Sequence, residues 1–333
     1  MKFGVGVPTF DQYADKDIFF RLVDAAEDLG FDSVWFGDHI AVPGYAIAYT
    51  DYNWLDAVTC AMACMGRTSR LAFGTDVLVA PYRNPVVLAH MAVTANALFG
   101  DRLMLGMGVG YLKGEFEAVG APPVSERGAV TDEYLSVMRR LFSGPGPHAF
   151  QGRWINFDDT WFGPQPATVP PIFVGGNHPA ALRRAAVLGD GWHPLFPSLE
   201  AYAQGRETIE RTRREHGIVR PFTYSYSTRG RLRVAGEPEP PPPRSDAGRP
   251  KDYSYAPPAP TAPDGRLRFS GSADQVASDI GEFMQAGVEQ FVFRFARPFD
   301  PYMTPDRFLA QMRLLSEQVI RPGRASGDYP VTP

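Results

Sequence analysis

The sequence predicts a single closed (β/α)8 barrel, and three observations predict it. Short apolar runs alternate with amphipathic stretches along the chain, the mark of βαβ units. Eight strand–helix pairs follow one another, and at roughly thirty residues per unit they use most of the 333 residues. The apolar runs supply no polar edge strand, whereas the competing arrangement, an open doubly wound sheet, would need two.

The first strand spans 3–7. Its helix, 17–29, puts Ile18, Leu22, Ala25, Ala26 and Leu29 on one face, and Gly30 stops it. The second strand is 33–36 and its helix 54–66; the third is 71–78, followed by a helix over 85–99. Pro85 opens that helix, at a position where a missing N–H costs nothing. The fourth strand, 102–107, leads to a helix over 125–142 with Val130, Tyr134, Val137, Met138 and Leu141 as its apolar stripe. Residues 150–162, rich in Trp and Asp, read as an excursion outside the repeat. The remaining pairs are 171–174 with 178–188, 191–195 with 199–215, a strand within 222–234 with helix 273–286, and 290–295 with 305–319. One segment breaks the pattern. Residues 236–263 include Pro240 to Pro243, so they form neither a core helix nor a central strand. They read as a Pro-rich insertion loop between strand seven and helix seven of one barrel domain covering 1–333, either a lid or a solvated insertion.

Composition narrows the function. With 44% hydrophobic and 21% charged residues the chain can bury a sizeable core. The net charge is -4 and no Lys/Arg block stands out, which argues against nucleic acid or a basic membrane face as partner. No signal-peptide character and no membrane-length apolar run is visible, so a cytoplasmic protein is expected. Cys60 and Cys64 share a helix face among small apolar neighbours and are expected to be buried. No HExxH, H-x-x-x-H or Cys cluster points to a metal, and no G-x-S-x-G to a hydrolase nucleophile.

In such a barrel the chemistry gathers at the C-terminal strand ends. Asp38-His39 follows strand two and offers an imidazole beside a carboxylate, suited to proton transfer or to a structural hydrogen bond. His193, after strand six, carries the same two readings. Thr75-Asp76 and Tyr82-Arg83-Asn84 follow strand three; Gly106-x-Gly108-x-Gly110, Tyr111 and then Glu115 follow strand four; Arg294 and Arg297 follow strand eight. The glycine run fits a flat ring packed on the backbone or a plain Gly-rich turn. Gly175-Gly176-Asn177 precedes a helix whose N-cap would be Asn177, a place for an anion such as a cofactor phosphate or merely a tight connection.

Taken together and in order, several segments resemble the luciferase-like monooxygenase superfamily, closest to its F420-dependent oxidoreductases. They are Gly30-Phe31-Asp32-Ser33-Val34-Trp35 with Asp38-His39, Arg67 to Leu71 leading to Gly74-Thr75, Tyr82-Arg83-Asn84-Pro85, Gly100-Asp101-Arg102-Leu103, Gly106 to Gly110, Glu126-Arg127-Gly128, Gly175-Gly176-Asn177 and Gly189 to Pro194. The resemblance implies a barrel holding a tricyclic flavin-type ring at its mouth. The ring would lie against a bulge at Thr75-Asp76, often formed with a non-proline cis peptide. Gly106, Gly108 and Gly110 would lie along it, Gly175, Gly176 and Asn177 would take the phosphate, and His193 would join the cofactor site. His39, with Asp38, would act at the reactive face.

Three functions stay open on the sequence: F420-dependent hydride transfer to or from a small organic substrate, an FMN-dependent monooxygenase using reduced flavin and oxygen, and a flavin-binding barrel without turnover. A separate cofactor reductase and a homodimer are expectations of the resemblance. Tyr45, Tyr49 and Tyr52 on the loop 40–53 after strand two, with Trp54 just after it, suit an apolar substrate or solvent-side packing.

Overall fold

The computed structural model describes residues 1–233 and 260–330. The Pro-rich insertion expected over 236–263 therefore lies outside the described residues, except for 260–263. The strands are β1 (Lys2–Gly6), β2 (Ser33–Phe36), β3 (Ala72–Thr75), β4 (Leu78–Val79), β5 (Leu103–Gly108), β6 (His148–Gln151), β7 (Asn156–Thr160), β8 (Ile172–Gly175), β9 (Gly191–His193), β10 (Thr223–Arg229) and β11 (Gln290–Arg294). All but β6 and β7 belong to one parallel sheet, ordered β3-β2-β1-β11-β10-β9-β8-β5-β4. Pairing of β3 with β5 joins the ends of that order and closes the barrel, so the open doubly wound sheet is excluded. Residues 150–162 form most of the antiparallel hairpin β6–β7, outside the ring.

The helices are α1 (Lys16–Asp28), α2 (Ala57–Arg67), α3 (Pro85–Phe99), α4 (Lys113–Ala118), α5 (Arg127–Leu141), α6 (Pro179–Leu188), α7 (Leu199–Glu215), α8 (Ala273–Gln285), α9 (Pro305–Leu315) and α10 (Arg321–Ser326). Their starts follow from local chemistry. Asp15, Asp56, Asn84, Ser198 and Thr304 each accept a backbone N–H in the first turn of the helix they precede. Ser272 and Gln275 form a reciprocal capping box on α8. Each such cap stabilises its helix by about 1 kcal/mol. The last helix was expected to run unbroken over 305–319. It stops at Leu315 and widens into a π turn, Ser316–Ile320, just before Pro322, which has no N–H to donate.

Two departures position the site. The third strand, expected to be continuous over 71–78, is split. Phe73 pairs with Leu103 and Leu78 with Met107, so β3–β4 contains one residue more than the facing stretch of β5. The extra length bulges at Asp76 and Val77, whose peptide bond is cis. The barrel interior is also partly hollowed by glycine. Trp35 lies across it and packs with Phe173, Val292 and Met104. A Cβ on Gly74 would sit 2.3 Å from Trp35, and one on Gly4 would sit 3.0 Å from it. Only glycine on these two strands leaves room for the indole.

Candidate active site

Two clusters meet at the C-terminal end of the barrel. The first centres on His39, just past β2. Its Nδ1 is 2.9 Å from Glu115 Oε2, contributed by α4. Glu115 is completely buried. Its other oxygen accepts the N–H groups of Ile40 at 2.5 Å and Ala41 at 3.1 Å, while the Tyr82 hydroxyl donates to Oε2 at 3.0 Å. Burial alone would raise the Glu115 carboxyl. The bond and charge of His39 and the two backbone N–H groups outweigh it and hold Glu115 below its ordinary value. Burial and the neighbouring carboxylate push the Tyr82 phenol up, so it stays a donor. An ionised Glu115 accepts from Nδ1–H. That leaves Nε2 of His39 as the acceptor, 3.3 Å from the Tyr111 hydroxyl. Trp54 packs edge-on against the imidazole, with ring centroids 4.8 Å apart. Ile40, Tyr45, Ile47 and Tyr52 of the same loop are exposed around it.

The second cluster lies in the upper interior of the barrel. Asp76, at the bulge, reaches His193 Nε2 at 3.2 Å on β9, the Ser227 hydroxyl at 3.2 Å on β10 and Arg294 Nε at 3.5 Å on β11. Burial would raise its carboxyl, but Arg294 and His193 hold it well below the usual carboxylate range. His193 is fully buried; its Nδ1 meets the Ser225 hydroxyl at 2.6 Å, and its ring stacks on Trp35 with centroids 4.5 Å apart and planes within 10°.

The structure distributes the expected site residues unevenly. His39 stands at the mouth. Asp38 does not share its bonding: both carboxylate oxygens take the Arg83 guanidinium at 2.8 Å, and one also takes the Val79 N–H at 2.9 Å. Asp38 thus ties the end of β2 to β4. Thr75 is buried and donates to Gly106 O at 2.8 Å. The glycines expected along a ring receive protein instead. A Cβ on Gly106 would fall 1.8 Å from Thr75 O, and ones on Gly108 and Gly175 would come within 2.5 and 3.0 Å of Val77. On Gly110 it would meet Val79 at 2.5 Å. Gly106, Gly108 and Gly175 make space for the bulge and Gly110 for Val79 of β4, so their effect on a ligand is through the position of that segment.

Asn177 is not the N-cap of α6. Pro179 is the first helical residue and His178 caps it, with Nδ1 accepting from Ala180 N at 3.2 Å. The Asn177 amide donates to Leu195 O at 2.9 Å, while its buried Oδ1 has no partner among the described residues. Gly176 sits at φ +103, a conformation suited to glycine, and its carbonyl accepts the Trp192 Nε1–H at 2.9 Å.

Glu115 is the residue of the His39 cluster to which the sequence assigned no role. No spacing links it to His39; only the turn into α4 brings it there. Among the described residues no group of three or more His, Cys, Asp or Glu side chains could hold a metal ion, and no helix is long and apolar enough to cross a membrane.

Residues 1–231 match the family model described as luciferase-like monooxygenase. The chain belongs to that family. An uncharacterised protein of Mycobacterium tuberculosis is 30% identical over 220 residues, covering 62% of this chain and 75% of that one. The F420-dependent glucose-6-phosphate dehydrogenase of Amycolatopsis mediterranei is 25% identical over 342 residues, 95% of this chain and 97% of its own. Among solved structures, an F420-dependent secondary alcohol dehydrogenase in complex with an F420–acetone adduct superposes with a TM-score of 0.74 at 18% identity, over 96% of this chain and 98% of that one. The split third strand with its cis peptide and the closed barrel therefore sit in a luciferase-like chain, as the ordered sequence segments implied.

Proposed function

We propose that this protein is an F420-dependent oxidoreductase that transfers a hydride to or from a small organic substrate, with His39 as the catalytic residue. The observation that carries this reading is the His39–Glu115 pair at 2.9 Å, which presents Nε2 at the mouth with its partner nitrogen spoken for. Two relatives of stated activity named above, a dehydrogenase of glucose 6-phosphate and a dehydrogenase of secondary alcohols, are F420-dependent and support the choice of cofactor.

The residues present suit that group. The bulge at Asp76–Val77 would carry the ring, backed by Gly106, Gly108 and Gly175, with Thr75 and Gly110 holding its flanks. His193 would support the ring from below through Asp76. Gly175, Gly176 and the start of α6 would receive the side chain of the cofactor. The unpartnered Asn177 Oδ1 is an acceptor, so it suits a hydroxyl of that chain better than a phosphate oxygen.

When bound, F420 supplies hydride chemistry and does not activate oxygen. The chain supplies orientation and the proton. Nε2 of His39 is placed to take the proton of a substrate hydroxyl in oxidation and to return it to a carbonyl oxygen in reduction. Glu115 fixes the tautomer and stabilises the imidazolium that results. Trp54 and the exposed Ile40, Tyr45 and Ile47 offer an apolar rim for the substrate body.

The test is a titration of the purified protein with F420 and with FMN in separate experiments. Tight F420 binding with weak FMN binding is expected. FMN binding without F420 binding would favour the monooxygenase and overturn this reading; neither binding would leave a barrel without the proposed chemistry.

A further inference from the structure

The inward-facing positions change character along the barrel. Trp35, Phe173 and Val292 form an apolar layer. Nearer the C-terminal strand ends, inward positions carry Asp76, His193, Ser227 and Arg294. Three of these four satisfy one another. Asp76 is anchored by His193 and Ser227, and His193 is anchored again by Ser225.

Arg294 is different. Its Nε lies 3.5 Å from Asp76, and among the described residues no other group pairs with it. A guanidinium carries five N–H donors in a rigid fork, so this contact leaves its terminal N–H groups unspent. Its stem is fixed by a close approach: a Cβ on Gly6 would lie 3.0 Å from Arg294 Cγ. The side chain is only 23% exposed. It borders a cavity of about 20 Å3 whose other walls include Val7, Pro8, Phe10, Trp35, Ala296 and, on the Nε side, Asp76. That volume takes one oxygen-sized group and not a ring. A partly buried guanidinium that meets one carboxylate at Nε and otherwise has mainly apolar neighbours is completed most favourably by an anion delivered to its free edge, away from that carboxylate.

We propose that Arg294 is an anion-receiving residue at the floor of the mouth, which binds one negatively charged oxygen on the edge of a ring-shaped organic ligand. Asp76 is its positioning residue. The oxygen has two sources. The first, which rests on the F420 reading above, is the ionised ring hydroxyl of the deazaflavin, a group that FMN lacks. The second is a carboxylate on the substrate. In the first case Arg294 also selects F420 over FMN.

The experiment compares the full-length protein with Arg294→Met and Arg294→Lys, after circular dichroism has shown which variants fold. F420 is titrated without substrate over a range of pH, with ionisation of its bound ring hydroxyl read from the visible absorption band. FMN and benzoate, the latter as a plain aromatic carboxylate, are titrated in parallel. If the cofactor is the source, the wild-type protein lowers the pH at which bound F420 ionises. Arg294→Met abolishes that shift and weakens F420 binding about tenfold, the loss of one charge-assisted contact. Arg294→Lys restores part of both, and FMN binding does not change. If the substrate is the source, F420 behaves alike in all three proteins while benzoate binding is lost in Arg294→Met and partly regained in Arg294→Lys. Equal F420 ionisation and equal benzoate binding in all folded variants overturn the proposal. Failure of the wild-type protein to bind F420 at all overturns the cofactor reading instead, and Arg294 is then judged on benzoate alone. Should Arg294→Met not fold, Arg294→Lys against wild type decides by the same readouts, since an ammonium keeps the charge but loses the fork.

Discussion

His39 Nδ1 and Glu115 Oε2 lie 2.9 Å apart although 76 residues separate them in the chain. The contact fixes the imidazole with Nδ1 engaged, which is the arrangement the proposed base requires. Replacing His39 by Ala should lower turnover by about 10²- to 10⁴-fold, the usual contribution of a positioned acid–base group. F420 affinity should change far less. Steady-state kinetics beside a binding titration checks this; unchanged turnover removes His39 from the mechanism.

Glu115 also makes stability depend on pH. An unfolded glutamate binds its proton near pH ~4.3, whereas the folded Glu115 carboxyl is held lower by His39 and two N–H groups. Its stabilisation is thus complete above the unfolded value and is lost as pH falls through the folded one. Thermal melts of the wild-type protein should fall more steeply with acidification below that range than melts of Glu115→Gln, which cannot ionise. Parallel acid profiles would contradict the assignment.

Gly106→Ala should be among the most damaging small substitutions. The added Cβ would stand 1.8 Å from the Thr75 carbonyl, a backbone atom that cannot step aside without moving the bulge. A loss of at least about 1–3 kcal/mol is expected, as for overpacked cores, together with weaker F420 binding. Denaturant unfolding and cofactor titration on the same sample measure the two effects.

Asp38 is expected to matter for stability more than for chemistry. Its carboxylate is buried against Arg83, which also reaches Asp56 at 2.5 Å. Asp38→Ala strands part of that charge and should cost about 3–5 kcal/mol, the range for breaking a buried pair. If turnover per folded molecule fell as far as it does in His39→Ala, Asp38 would have to be moved into the catalytic machinery.

Cys60 and Cys64 are both buried and unpaired. Burial pushes the Cys60 thiol up to about 12, and Cys64 is raised further by the same cause. Neither forms thiolate at neutral pH, so a disulfide-exchange reagent should label them only as fast as the protein unfolds. Rapid labelling of the native protein would show that α2 opens.

Much of the architecture was legible because it is written in local patterns. Periodicity 2 and 3.6 placed each barrel strand and its following helix within a few residues, and the count of units pointed to closure. The split of the third strand was not visible in the apolar run 71–78, because a bulge is decided by pairing with β5 and not by side-chain pattern. The N-cap of α6 lies one residue later than Asn177, the residue type favoured there, because the helix begins at Pro179 and the residue before it, His178, caps it. At the site, His39 and the glycines could be found from their place after strands, but not their partners.

The barrel and the family can be read along the chain, since each depends on short-range order. What the residues at the strand ends do to one another depends on contacts across the barrel. Closure packs Gly108 against Val77 and Gly110 against Val79, gives Asp38 to Arg83 and His39 to Glu115, and sets Asp76 between His193 and Arg294. The reason is physical. Barrel closure brings strand ends together that are far apart in sequence, and hydrogen bonds and charges act over a few ångströms of space, whatever the number of residues between them.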